Sequence, residues 1–505
     1  MPHIGNLLER HATYRPDHTA VVFEDQRLSY RDFNKRANRL GHALKADGVG
    51  KGDKVASVLP NALELLDFYW ASAAMGAVMV PLSPLLQPAG LVKLLVRAGV
   101  KTVVTCQAYL DVVLEAAKGA ELKRLIVIDG APTGGAVTYH DFVADSPDDA
   151  ITDVVIRDDD LYNIIYSSGT TGEPKGIQHT HFIRSMYCTL FSQAFRFTPE
   201  SVTLHTGAVI FNGAFVPLMP TFYNGGTYIM HKAFHIADVV DTIEHEKVTH
   251  IMMVPAQIQA LLDYPGVRTE QLESLEMIMS VGAPLPVEHK EALDRLIPGR
   301  FYEMYGLTEG FVTILDKMDF RKKSASVGSC PPFFDIRICD EKGNDLPVGE
   351  VGEIVGRSPI MTPGYYNMDE LTAQTIKDGW LFTGDLGYLD EDRYLYLVDR
   401  KKDMIISGGV NVYPKDIEEV VARHEAVSEV AVFGVADDKW GETPVCAVIL
   451  KRNKQISTDD LKGWINENVE AKFQRVKEVR IMEDFPRSVA GKTLKREMRD
   501  KWGEK

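Results

Sequence analysis

The chain has no Cys-x-x-Cys pair, no excess of basic charge and no long apolar run, and each absence closes off a class of function. Its five cysteines, Cys106, Cys188, Cys330, Cys339 and Cys446, are scattered, which argues against a zinc ribbon or a redox pair and fits reduced core thiols in a cytosolic protein. A formal net charge of -15 over 505 residues leaves no broad basic face for nucleic acid. A local basic pocket for a small anion remains compatible with it. No uninterrupted apolar stretch approaches the roughly 20 residues of a membrane helix. The start, Met1-Pro2-His3-Ile4-Gly5, lacks the basic-then-apolar order of a secretory signal. A cytoplasmic location without a membrane span is therefore expected. Fourteen histidines invite a metal search, yet no carboxylate or cysteine completes a ligand set around His179 and His181 or around His231 and His235. Neither familiar nucleotide fingerprint, Gly-x-x-x-x-Gly-Lys-Ser/Thr or Gly-x-Gly-x-x-Gly, fits the glycine-rich loop described next.

What the chain does have is concentrated in one segment, Tyr166-Ser-Ser-Gly-Thr-Thr-Gly-Glu-Pro-Lys-Gly176, directly after the apolar run Leu161-Tyr162-Asn163-Ile164-Ile165. Glycines let backbone N–H groups approach an anion, hydroxyls add donors, and Lys175 adds a mobile positive charge. A flexible Gly/Ser linker would lack the preceding strand signal, the fixed Pro174 and the lysine. The segment reads as a phosphate-gripping loop on the end of a strand.

A chain of this length exceeds one hydrophobic core, so several subdomains are expected. Short apolar runs at Val55–Leu59, Thr102–Thr105, Leu125–Ile128 and His250–Val254 alternate with amphipathic helical stretches, the rhythm of parallel sheets covered by helices. Pro255 opens one such helix, over Ala256–Leu262. From about Ser324 to Val398 the segments shorten and turns multiply, at Gly343-Asn344 and Pro363-Gly364 for example, predicting a small antiparallel sheet or barrel. The charged run Asp399-Arg400-Lys401-Lys402-Asp403 reads as a joint. Beyond it the pattern predicts a helix over Pro414–His424, strands over Val430–Val435 and Val445–Leu450, and a helix near Leu461–Val469. The predicted fold class is α/β. A large N-terminal body (1–398) holds two helix-covered sheets and a small β-barrel (320–398), followed by a hinge (399–403) and a small, mobile C-terminal α+β lid (404–505).

Further motifs follow in order: Ser280-Val-Gly-Ala-Pro-Leu285, Tyr302-Glu-Met-Tyr-Gly-Leu-Thr-Glu309, Thr383-Gly-Asp-Leu-Gly387, the charged joint, and Pro486-Arg-Ser-Val-Ala-Gly-Lys492. Singly, each reads as a surface turn or solvated charge. Together, behind the Ser/Thr/Gly loop, they resemble the adenylate-forming superfamily of acyl- and aryl-CoA synthetases, peptide-synthetase adenylation domains and beetle luciferases, over nearly the whole chain. The resemblance implies that Ser167, Ser168, Gly169, Thr170, Thr171, Gly172 and Lys175 wrap the β- and γ-phosphates of ATP. It implies that Gly282, Ala283 and Pro284 line the adenine slot with Tyr305 on the purine face and Gly306 beside it. Thr308 would contact phosphate and Glu309 would ligate Mg²⁺. Asp385 would accept both ribose hydroxyls, with Arg400 close by. Lys492 would bridge the substrate carboxylate and the α-phosphate, and Lys402 sits at the hinge position.

For a second, CoA-dependent half-reaction, the resemblance places Gly408 and Gly409 along a pantetheine channel and Trp440 against the CoA adenine, packing being the alternative role for that tryptophan. Phe473, Arg475 and Lys477 supply an aromatic and two cations suited to a base and a 3′-phosphate. Phe211, Asn212, Phe215, Gly306, Phe311 and Val312 are the expected acyl-pocket walls. Asn212 stands where relatives acting on aromatic acids often carry histidine. No acid is evident that would bind an amino group, which disfavours an α-amino acid. These features imply an acid:CoA ligase using ATP, Mg²⁺ and coenzyme A on an apolar aryl, arylpropenoic or medium-chain acid. The alternatives are an acyl-AMP ligase loading a carrier protein and a nucleotide-binding relative without catalysis. A homodimer is left open.

Overall fold

The computed structural model describes residues 3–167, 174–401, 403–407, 410–437, 440–469, 471–487 and 493–503. They divide into two compact units. The first comprises 1–324, 330–335 and 357–381, and the second comprises 325–329, 336–356 and 382–505. The expected joint at 399–403 falls inside the second unit, which also holds most of the small antiparallel sheet.

Two sheets organise the described part of the first unit. One runs in the order Val137–Thr138, Arg124–Val127, Thr102–Thr105, Lys54–Val58, Val78–Leu82, Leu161–Ser167, Lys175–Thr180. All neighbours are parallel except the last pair, which is antiparallel and carries the Ser/Thr/Gly segment between its strands. The strand Val78–Leu82 is buried throughout, as expected of a strand covered on both faces. Val58, Val80, Val103, Val127 and Ile164 share one core cluster with Leu91, Leu94, Leu95, Leu110 and Val113 from the neighbouring helices. The other sheet runs Phe311–Leu315, Phe301–Leu307, Met277–Val281, His250–Met253, Val202–His205, Thr227–Met230, Thr19–Phe23, Gln26–Ser29. It is parallel inside, with an antiparallel pair at each edge.

The expected helix behind Pro255 spans Pro255–Leu262, with the proline in its first turn, where a missing N–H costs nothing. In the second unit the strands Val427–Asp437 and Gly441–Leu450 form a long antiparallel hairpin. Val432, Cys446 and Val448 enter one core with Ile417 and Leu461. Ala431, Phe433, Val445 and Ala447 enter another with Met498 and Trp502. Alternate residues thus serve opposite faces, and helices cover both. The flanking helices are Pro414–Ala422 and Thr458–Asn468, each within two or three residues of the pattern read from sequence. All five cysteines are free thiols, four of them buried. No helix among the described residues is long and apolar enough to cross a membrane.

Candidate active site

The strands Leu161–Ser167 and Lys175–Thr180 pair Ser167 with Lys175 and Tyr166 with Gly176, so both ends of the loop are pinned at one hairpin mouth. Ser168, Gly169, Thr170, Thr171 and Gly172 lie outside the described residues. The segment 362–366 lies against the second strand of this hairpin. Tyr366 N donates to Gly176 O at 2.7 Å, and Thr362 Oγ1 donates to Gln178 O at 2.8 Å. That places the Tyr365 ring under the Lys175 ammonium, 5.1 Å from its centroid. The Tyr365 hydroxyl donates to Glu309 Oε1 at 2.8 Å. Burial, and then the neighbouring Glu309 carboxylate, push the Tyr365 phenol above its ordinary range, so it remains a donor.

Thr308 and Glu309 occupy the turn between Phe301–Leu307 and Phe311–Leu315. Gly310 closes this turn at φ +104°, and a Cβ there would lie 2.0 Å from Ile360 O. Only glycine fits that approach. The backbone is held further by Thr362 N donating to Glu309 O at 2.8 Å and by His179 Nε2 donating to Thr308 O at 3.0 Å. Burial first, and then the Arg184 charge, hold His179 well below the usual imidazole range, so it is neutral. Lys175, Tyr365, Glu309 and Thr308 therefore converge at one place. Among the described residues no group of three His, Cys, Asp or Glu side chains could hold a metal ion alone. One half-buried carboxylate, Glu309, beside the loop expected to hold phosphate is compatible with Mg²⁺ arriving with a nucleotide, since Mg²⁺ keeps waters and phosphate oxygens as most of its ligands.

Gly282, at φ +96°, ends the strand Met277–Val281, and Gly282, Ala283 and Pro284 are all exposed. Behind them Leu285 N donates to Glu303 Oε1 at 3.4 Å. Glu303 Oε2 is ion-paired with Lys290, both side chains being 3% exposed. Tyr305 and Gly306 lie one strand over. A Cβ on Gly306 would come within 2.7 Å of Val312 Cγ1, so the glycine brings the two strands of this edge together. In the proposed acyl region Phe311 and Val312 are buried. Asn212 opens a short 3₁₀ turn, Asn212–Ala214, that feeds the helix Phe215–Asn224. Asn212 Nδ2 donates to Tyr187 Oη at 3.1 Å, Phe215 is fully buried, and Phe211 is partly so.

In the second unit, Asp385 and Arg400 are direct cross-strand partners, with Arg400 Nε 3.3 Å from Asp385 Oδ1. Thr383 Oγ1 accepts from Asp385 N at 3.1 Å and donates to Ile354 O at 2.7 Å. Glu353 receives Gly384 N at 3.1 Å and Lys401 Nζ at 3.0 Å. The Thr-Gly-Asp turn is thus braced from behind, and the Asp385 carboxylate is itself largely buried beside Arg400. Farther along, Asp437 holds both Trp440 N at 3.0 Å and Lys477 Nζ at 2.8 Å. Trp440 is 49% exposed and Phe473 43%. Arg475 is exposed, whereas Lys477 carries an ion-pair partner. Lys402, Gly408, Gly409 and Lys492 lie outside the described residues.

Residues 8–366 match the AMP-binding enzyme family, and residues 416–492 match the AMP-binding enzyme C-terminal domain. The chain belongs to the AMP-binding enzyme family. It is an AMP-forming acid–thiol ligase. Feruloyl-CoA synthase of an Amycolatopsis species is 33% identical, over 99% of both chains. Indoleacetate–CoA ligase of Aromatoleum aromaticum is 30% identical, over 98% of this chain and 97% of its own. The crystal structure of ATP-bound MatB from Rhodopseudomonas palustris superposes with a TM-score of 0.91 at 29% identity, over 99% of both chains.

For this AMP-binding enzyme, three features around the expected site residues escaped sequence reading. Tyr365 sits in Pro363-Gly-Tyr-Tyr366, which reads only as a turn. The Lys290–Glu303 pair is split between a helix and a strand, with no spacing to connect them. Arg184 lies in the first turn of an otherwise apolar helix face, and of its adjacent apolar residues Ile183 is buried while Phe182 is exposed.

Proposed function

We propose that this AMP-binding enzyme joins an aryl or arylpropenoic acid to coenzyme A through an acyl-adenylate. The observation that carries the reading is the convergence of Lys175, Tyr365, Glu309 and Thr308 at the mouth of the phosphate hairpin. A cation, an oriented carboxylate and a hydroxyl meet where the outer phosphates of ATP would leave. In the first half-reaction an oxygen of the acid attacks the α-phosphorus, the bond to the β-phosphate oxygen breaks, and pyrophosphate departs. The attacker is already anionic, so no general base is required. What the chain must supply is charge neutralisation in a water-poor site. We assign that role to Lys492 and Lys175, with Glu309 holding the Mg²⁺ that accompanies ATP. Asp385, backed by Arg400, takes the ribose diol.

In the second half-reaction the CoA thiolate attacks the acyl carbonyl and AMP leaves. Exposed Trp440 and Phe473, with Arg475 nearby, favour CoA as the acceptor, because exposed aromatics beside a cation suit an adenine bearing a phosphate. The full-length similarity to a feruloyl-CoA synthase and an indoleacetate–CoA ligase favours an aromatic acid. The test is product analysis with ATP, Mg²⁺ and CoA over benzoic, cinnamic, indoleacetic and medium-chain acids. Equal amounts of AMP and aryl-CoA are expected from the aromatic set. Products from the aliphatic acids alone would overturn the acid assignment.

A further inference from the structure

Arg184 has a surrounding that the adenylation chemistry leaves unexplained. Thr180 caps the helix His181–Phe195 by accepting from Ile183 N at 3.3 Å, which turns Arg184 inward in the first turn. The guanidinium is fully buried. Its Nη2 and Nε donate to Asn163 Oδ1 at 3.1 and 3.4 Å, and its Cζ lies 4.0 Å from the Phe215 ring centroid and 4.8 Å from that of Tyr187. Burial disfavours its charge and holds it below the usual guanidinium range, opposed in part by the neighbouring Tyr187, Tyr162 and Tyr69; among the described residues no carboxylate pairs with it. A buried cation without a counter-ion is costly, and structures rarely carry one without a use.

Its neighbours are short of partners in a coherent way. Arg184 Nη1, Asn163 Nδ2, Asn212 Oδ1 and His179 Nδ1 are all buried without a hydrogen-bond partner. Two of these atoms are donors. Asn212 hydrogen-bonds Tyr187, and Phe215 stacks on Arg184, so two expected acyl-pocket residues touch this cluster directly. A wholly apolar acid would leave the donors and the charge unanswered. An oxygen substituent at the far end of the acid would answer them.

We propose that Arg184, supported by Asn163, is a specificity-determining residue that binds an oxygen substituent remote from the reacting carboxylate. This rests on the aromatic-acid ligase reading and narrows it to oxygenated aromatic acids. A ring hydroxyl would accept from Arg184 Nη1 and Asn163 Nδ2 and donate to Asn212 Oδ1. A ring carboxylate would use the same two donors and neutralise the guanidinium.

The experiment compares kcat/KM for 4-hydroxycinnamate, 4-carboxycinnamate and cinnamate in the wild type, Arg184→Met and Asn163→Asp. Asn163→Asp keeps the volume, supplies Arg184 with an internal counter-ion and removes the Asn163 donor. It therefore tests the proposal even where Arg184→Met fails to fold. In the wild type at least one oxygenated acid is expected to exceed cinnamate by about 10- to 100-fold, the range for a hydrogen bond to a charged group. Which one leads identifies the source of the oxygen. Asn163→Asp, and Arg184→Met where it folds, should bring that ratio to within a few-fold of one. A wild type that does not discriminate, or a ratio that survives the substitutions, overturns the proposal and leaves the ligase reading standing. No pyrophosphate release with any acid overturns both.

Discussion

Tyr365 gives the Glu309 carboxylate one fixed direction, because its phenol stays protonated and donates from a backbone pinned to the phosphate hairpin. Tyr365→Phe keeps the ring under Lys175 and removes that single bond. Pyrophosphate release at saturating acid is expected to fall about tenfold, the low end of the range for one hydrogen bond to a charged group. Glu309→Gln should cost about 10²- to 10³-fold, as expected when a charge-stabilising group is lost. Equal losses from the two substitutions would show that Tyr365 does more than orient. Beneath the exposed Gly282-Ala283-Pro284 turn, the buried Lys290–Glu303 pair makes a different kind of prediction. Lys290→Met strands a buried carboxylate and is expected to destabilise by about 3–5 kcal/mol. Adding Glu303→Leu should recover most of that loss in thermal unfolding.

The Thr308–Gly310 turn and the Asp378-Gly379 turn both use positive φ, yet they differ in what surrounds them. Gly379, at φ +78°, has nothing within 4 Å of a built Cβ, so Gly379→Ala should cost only the backbone term of about 1–2 kcal/mol. Gly310→Ala adds a clash with the Ile360 carbonyl and should lower the unfolding temperature clearly more, with loss of adenylation because Glu309 is displaced. Similar shifts for both would refute the close approach. Elements of this kind were legible in the sequence to different degrees. Pro255 announced its helix, and the alternation through Val430–Val435 announced its strand, because local period and capping decide such elements. The place of Asn212 was not legible, since its partner Tyr187 lies on a different element, 25 residues away in the chain. Tyr365 and Arg184 were illegible for the same reason: their roles come from partners more than twenty residues away in sequence, among them Glu309, Asn163 and Phe215.

Across the whole molecule, a set of buried neutral histidines links stability to pH. Burial lowers His181, His205 and His250 to about 4 from an ordinary value of 6.5, and His179 falls well below it. The unfolded chain therefore takes up protons first as pH falls, so stability rises with pH across this window. It is fully present above about 6.5 and is lost progressively toward about 4. The unfolding temperature should drop between pH 7 and pH 5, and a flat profile would contradict the burial of these imidazoles. The family and its order of motifs were legible over the full chain, because phosphate, ribose and carboxylate chemistry each demand particular residue types. The acid was not, because Asn163, Arg184, Asn212 and Phe215, the residues we propose to contact it, lie on separate elements. The most direct test of the two-step ligase is a rapid-quench measurement with ATP, Mg²⁺ and an oxygenated cinnamic acid, first without CoA and then with CoA added. A burst of about one pyrophosphate per enzyme, followed by aryl-CoA and AMP only when CoA arrives, is the expected result. Sustained pyrophosphate turnover indifferent to CoA, or no burst at all, would contradict it.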